Sequence, residues 1–240
     1  MGRLVFIRHA QASYGTGNYD QLSALGYHQA QLLGQHLAES DCQFDSVYVG
    51  PSKRHQQTLD EVRVIYDGKN LPFPDPIRMD ALGEHRGAEV LRHLLPDLVQ
   101  CDRQIRHWSE EAQLDESVKR RNHLRTFEYF MPRWAGGRLN VAHPTDFEDW
   151  PAFRERVKSG VEEILHHKTN GQVIGVFTSG GTMSAAVGYS LDMTNDEQIA
   201  ALNTVVHNTS ITEFLFSQKR LTLTAFNQVP HLKSNEKTLV

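Results

Sequence analysis

Residues 4–13 read LVFIRHAQAS. Leu4, Val5, Phe6 and Ile7 form an unbroken apolar run without the in–out alternation of a half-buried strand. Such a run predicts a short strand covered on both faces, as in a parallel sheet between layers of helix. The run then delivers Arg8 and His9, residue types that rarely accept full burial. In open α/β sheets ligands bind beyond the carboxyl ends of the strands, so this end marks a candidate site.

Working outward, SALGYHQAQLLGQHLAE (23–39) sets Leu25, Ala30, Leu32, Leu33 and Leu37 on one helical face, with Ser23 as its N-cap. DSVYVG predicts a second short strand, and a helix follows from Lys53 to Tyr66 with Leu59, Val62 and Ile65 at helical spacing. NLPFPDP is a proline-broken loop. From Met79 to Trp150 the pattern is long, polar and mostly helical, interrupted at AGGRLNVAHPTDFEDWP. PAFRERVKSGVEEILHH is a helix with Pro151 at its first position. QVIGVFTSGG is a strand ending in a glycine pair, and TMSAAVGYSL returns to helix. NTSITEFLFS and RLTLTAFNQ alternate like the two strands of a hairpin turned at Gln218-Lys219, and the tail from His231 reads as polar and loose. Alternating strands and helices predict an α/β sandwich with a mostly parallel central sheet flanked by helices. The expectation is one domain over 1–240, with 80–150 as a mainly helical insertion or cap.

A chain of 240 residues with 39% hydrophobic and 22% charged residues is ordinary for a globular protein. A net charge of -4, with no dense basic run beyond VKRRNHLR, argues against a nucleic-acid surface. No run is long enough to span a bilayer. Two cysteines, Cys42 and Cys101, make neither a disulfide framework nor a zinc site, and the first residues do not form a signal peptide, so a cytoplasmic location is expected. None of the remaining histidines has the carboxylate or thiolate company of a metal site, and most of them, His166-His167 among them, read as helix surface. No cofactor is expected.

Two strand ends carry the chemistry. The first supplies Arg8 and His9. The second places Thr178-Ser179-Gly180-Gly181 at a helix start, where backbone N–H groups and the helix dipole suit an anion. Arg54 follows the strand DSVYVG at the start of its own helix. Two guanidinium forks, an imidazole and a glycine-rich helix start suit a phosphoryl group.

RHA (8–10), LSALGYHQA (22–30), GPSKRHQQT (50–58) and SGG (179–181), in that order, resemble the histidine phosphatase (phosphoglycerate-mutase-like) superfamily. The resemblance covers both ends of the chain but not residues 91 to 150. It implies a three-layer α/β fold and metal-free phosphoryl transfer through a phosphohistidine. It makes His9 the nucleophile, Arg8 and Arg54 the holders of the phosphoryl oxygens, and Glu84 in ALGEHRG the proton donor. Ser179 and Gly180 complete the phosphate pocket. Two departures stand out: Ala10 replaces the family's glycine, and Ser179 replaces its second histidine. A hydroxyl still donates a hydrogen bond but carries no charge, so restoring a histidine at 179 is expected to raise the rate if the pocket has room. Asn208, in NTSITEF, is assigned a structural role.

The chemistry is consistent by itself. A histidine nucleophile needs a neutral ring, and neighbouring arginines disfavour the imidazolium while gripping a phosphate dianion. A carboxylic acid such as Glu84 can protonate a leaving alkoxide. The expected activity is a metal-independent phosphatase acting on a small phosphorylated substrate or a phosphoprotein, with no nucleic acid or membrane partner. The alternatives are a family member that lost turnover through Ser179 and binds a phosphorylated ligand or partner, and a phosphoglycerate-type mutase.

Overall fold

The protein is described by a computed structural model covering residues 1–13, 20–166, 168–217 and 220–239. The predicted turn at Gln218-Lys219, most of the loop after Ser13 and His167 lie outside the described residues.

The opening run forms β1 (Gly2–Arg8), buried along almost its whole length. Its side chains divide between two cores. Leu4 and Phe6 enter one hydrophobic cluster, and Val5 and Ile7 enter another. A strand that feeds two cores must be apolar at every position, and that is what its unbroken pattern encodes.

On the Val5/Ile7 face lie α1 (Ala24–Glu39) and α2 (Lys53–Gly68), packed on each other. The Ser23 hydroxyl caps α1 by accepting from the Gly26 N–H. Between them runs β2 (Ser46–Val49). Sequence reading made 70–76 a loop throughout, but Pro76 opens a short strand, β3 (Pro76–Arg78), parallel to β2. A proline is tolerated there because it is the first residue of an edge strand.

A 3-10 turn (Asp80–Leu82) leads into three helices, α3 (Gly87–Cys101), α4 (Arg103–Leu114) and α5 (Glu116–Ala135). Leu91, Leu94 and Leu98 of α3 and Phe130, Met131 and Trp134 of α5 join the same cluster as Leu4 and Phe6. α4 lies outermost, against α3 and α5, and buries only Ile105.

α6 (Trp150–His166) begins one residue before Pro151, and Asp149 accepts from the Ala152 N–H through its side chain. Then come β4 (Val173–Thr178) and α7 (Gly180–Ser190), whose residues from Gly180 to Gly188 are all buried. A further helix, α8 (Asp196–Asn203), packs on α7 and α5. β5 (Ile211–Ser217) and β6 (Arg220–Gln228) form the predicted antiparallel hairpin, with register shifts near Glu213.

The strand order is β3-β2-β4-β1-β5-β6. β1, β2, β3 and β4 are mutually parallel, and β5 runs antiparallel beside β1. The result is a mostly parallel mixed sheet between helical layers, as expected.

The tail is not loose. Leu232 is buried, His231 stacks on His36, and Gln29 donates to the Glu236 carbonyl and the Thr238 hydroxyl. Its polar side chains find partners on α1, which composition alone cannot reveal. Among the described residues no helix is long and apolar enough to cross a membrane.

Candidate active site

The pairing of β1 with β4 puts Arg8 opposite Thr178, and the His9 N–H donates to the Thr178 carbonyl at 2.8 Å. The His9 end of one strand therefore lies alongside the Ser179 end of the next. All six residues expected at the site gather about this junction.

His9 is almost fully buried. Its Nδ1 lies 2.7 Å from the Ala10 carbonyl, which can only accept, so Nδ1 carries the proton. Its Nε2 accepts from Arg54 Nε at 3.2 Å and therefore bears the lone pair. Burial, then the Arg54 and Arg8 guanidiniums, hold His9 well below the usual histidine range, against the Ala10 hydrogen bond. The ring is neutral, with its basic nitrogen facing a cation. Behind it the His9 carbonyl accepts from Asn208 Nδ2 at 3.2 Å and from the Thr209 N–H at 3.3 Å. Thr209 takes a φ of 56° to do so, a left-handed conformation costly for a β-branched residue.

Arg54 opens α2 and is buried. Its Nη1 forms an ion pair with Asp20 at 2.9 Å, and Asp20 also accepts from the Lys53 N–H. Arg8 donates to the Val206 carbonyl, and its guanidinium lies over Gly180. The two glycines are explained by close approach. A Cβ on Gly180 would collide with the Asn203 amide, and one on Gly181 would meet the Glu84 carboxylate and the His85 ring.

Glu84 is drawn to this helix start. One carboxylate oxygen accepts from the Gly181 N–H at 3.1 Å and the other from the His85 N–H at 2.9 Å. Its segment is fastened to the junction by Thr178 and Thr182, whose hydroxyls donate to the Leu82 and Gly83 carbonyls. His85 accepts from the Gly87 N–H and packs against Trp134, Trp150 and Phe153, so a wall of aromatic rings fixes the base of the Glu84 loop.

Sequence reasoning missed four neighbours: Asp20, His55, His85 and Asn203. For His55 a signal exists. It heads the series His55, Leu59, Val62, Tyr66, one buried stripe of α2. Its Nε2 lies 2.6 Å from Ser179 Oγ, and its ring centroid lies 5.6 Å from that of His9. Burial and the Arg54 charge push His55 down to about 3, opposed by the Gly50 backbone. Asn208, given a structural role, does carry one: it ties the His9 carbonyl to the tail, since its own N–H donates to the Thr238 carbonyl.

The sequence model of the histidine phosphatase superfamily (branch 1) matches residues 4–72 and 106–229. The chain belongs to this superfamily. The match reaches further into the middle of the chain than the four motifs did, and it leaves out 73–105, where Glu84 lies. Among curated relatives, the 2,3-bisphosphoglycerate-dependent phosphoglycerate mutases of Rhizobium rhizogenes and Rhizobium etli are each 27% identical over 208 residues, covering 84% of this chain and 85% of theirs. Among solved structures, a phosphoserine phosphatase mutant from Entamoeba histolytica, in complex with phosphoserine, superposes with a TM-score of 0.64 at 16% identity, covering 97% of this chain and 100% of that one. A mycobacterial glucosyl-3-phosphoglycerate phosphatase superposes with a TM-score of 0.60 at 16% identity, over 94% and 98% of the two chains. At these identities the structures establish a shared superfamily fold.

Proposed function

We propose that this superfamily member is a metal-independent phosphatase that hydrolyses a phosphomonoester through a phosphohistidine at His9. The observation that carries this reading is the His9 tautomer. Nδ1–H is committed to the Ala10 carbonyl, Nε2 holds a lone pair, and the ring stays neutral because it is buried between two guanidiniums.

In the proposed reaction Arg8 and Arg54 draw the phosphoryl oxygens beside Nε2, which bonds to phosphorus as the ester oxygen leaves. Glu84, in its acid form, gives that oxygen a proton. Water then attacks the phosphohistidine, Glu84 takes back a proton, and inorganic phosphate departs with His9 restored. Phosphoryl transfer asks mainly for positioning and charge stabilisation, which the two arginines and the start of α7 supply. Among the described residues no cluster of three or more His, Cys, Asp or Glu is arranged to hold a metal.

The relationship to phosphoglycerate mutases favours a second reading, in which the phosphoryl group returns to a substrate hydroxyl. The replacement of the family's second histidine by Ser179 favours a third, a protein that binds a phosphorylated ligand without turnover. The substrate is proposed to be a small phosphomonoester or a phosphorylated protein side chain in the cytoplasm, a setting compatible with the unpaired Cys42 and Cys101.

Incubation with p-nitrophenyl phosphate, with and without a chelator, tests the proposal. Release of inorganic phosphate at equal rates in both arms, abolished by His9→Ala without loss of fold, is the expected result. Full activity in His9→Ala, or loss on chelation restored by added metal, refutes the mechanism. Isomerised phosphoester in place of released phosphate, with a phosphoglycerate as substrate, selects the mutase.

A further inference from the structure

Ser179 begins α7 at the N-cap position, where a serine ordinarily accepts a hydrogen bond from the first turn. It makes no such bond. The Gly181 N–H is taken by Glu84, and Ser179 Oγ is instead 2.6 Å from Nε2 of His55. Both residues have no exposed surface, and the His55 ring is 5.6 Å from that of His9, tilted by 36°. A buried imidazole is costly unless its nitrogens find partners, and an apolar residue would continue the Leu59/Val62 stripe at least as well. The His55–Ser179 contact therefore calls for a role beyond packing.

We infer that His55 is a positioning residue that fixes the Ser179 hydroxyl as a hydrogen-bond donor to the phosphoryl group on His9. This rests on the phosphatase reading above. In the bound state the single proton of the neutral His55 ring moves from Nδ1, beside the Gly50 backbone, to Nε2, so that Nε2–H donates to Ser179 Oγ and the Ser179 O–H donates to a phosphoryl oxygen. A lone serine hydroxyl can turn among several rotamers, whereas one held by a buried ring offers its proton in a single direction. The two side chains, from different elements, work as one donor. Because the ring is neutral, the unit adds direction and no charge, so the cationic work stays with Arg8 and Arg54. Apart from this tautomer shift, which leaves the ring neutral, no bond is made or broken within the pair.

The test compares wild type, Ser179→Ala, His55→Leu, His55→Gln, His55→Asn and the Ser179→Ala/His55→Leu double variant. Each is assayed for kcat and KM on p-nitrophenyl phosphate, for vanadate affinity, and for melting temperature. One preorganised donor is worth about 10²–10³ in rate. Ser179→Ala and His55→Leu are each expected to lose at least about 10-fold in kcat with little change in KM, and the double variant to lose no more than either single one. His55→Gln, whose amide reaches to where Nε2 lies, recovers activity, while the shorter His55→Asn does not. That difference disappears when Ser179 is alanine. Losses that multiply, full activity in His55→Leu, or equal rates in His55→Gln and His55→Asn at matched melting temperatures would overturn the pairing. If wild type releases no phosphate, the phosphatase reading fails separately, and vanadate then decides. Weakening that is equal in the two single variants and no greater in the double one upholds the pair, and unchanged affinity rejects it.

Discussion

At the scale of single residues, the site is built from groups whose protonation is fixed by their neighbours. His9 is the clearest case, since a carbonyl on one side and a guanidinium on the other leave one allowed tautomer. Ser179 is the case where structure changes an expectation. From sequence, a histidine at 179 should increase the rate if there is room. The space beside Ser179 Oγ is filled by His55. Ser179→His alone is therefore expected to overpack the junction, costing about 1–3 kcal/mol of stability without a gain in rate. Ser179→His combined with His55→Ala should accept the ring and exceed the rate of Ser179→Ala. Melting curves and turnover of the three variants check this, and a faster, fully stable single Ser179→His variant would show that the pocket is roomier than the contact implies. Arg8, His9, Arg54, Glu84 and Ser179 were legible because each lies in a motif or at a strand end. His55 was not, because an imidazole beside Arg54 reads as polar until the burial of its helix face is known. Asp20, in the loop after β1, and Asn203, at the end of α8, reach the site with no local pattern to announce them.

At the scale of elements, the junction between β4 and α7 is the part with least tolerance. Gly181→Ala would push a methyl group into the Glu84 carboxylate and the His85 ring. We expect a stability loss of about 1–3 kcal/mol and a larger proportional loss of turnover, because the displaced group is the assigned proton donor. A substrate with a better leaving group should hide part of that defect, since it needs less protonation. An equal loss on good and poor leaving groups would show that Glu84 is not the acid. The tail is a second sensitive element. Thr238 holds Asn208 through both its carbonyl and its hydroxyl, and Asn208 holds the His9 carbonyl. Removing residues 235–240 should lower the melting temperature by a few degrees and reduce turnover, with Thr238→Ala reproducing part of the second effect. Unchanged turnover in the truncated chain would separate the tail from the site. Most helices and the opening strand were readable from periodicity. β3 escaped because three residues beginning with proline carry no period, and the docked tail escaped because its anchors are hydrogen bonds to α1.

At the scale of the whole molecule, burial of neutral histidines couples stability to pH. His55 is held near 3 and His231 near 4, both mainly by burial, and His9 is also lowered. In the unfolded chain all three return toward about 6.5. Between these values the unfolded state binds more protons, so stability is fully present above about 6.5 and drains away as pH falls toward 4 and then 3. The melting temperature is expected to drop by at least about 5 °C from pH 7 to pH 5. His231→Gln, which still faces the Thr209 hydroxyl, should flatten the profile. A profile unchanged by that substitution would assign the acid sensitivity to other groups. The same sheet that gathers the site also has two open margins, and unpaired strand edges invite other chains to add on. At one margin stands β3, three residues long and opened by a proline that has no N–H to offer. At the other stands β6, which starts with Arg220 and carries Thr222 and Thr224, with irregular pairing to β5 near Glu213 that interrupts a flat template. The β3 margin thus offers only a short template with one donor missing, and on the nine-residue β6 the register shifts confine regular pairing to the half that begins at Arg220, so each margin limits in its own way the row of donors and acceptors a foreign strand could extend.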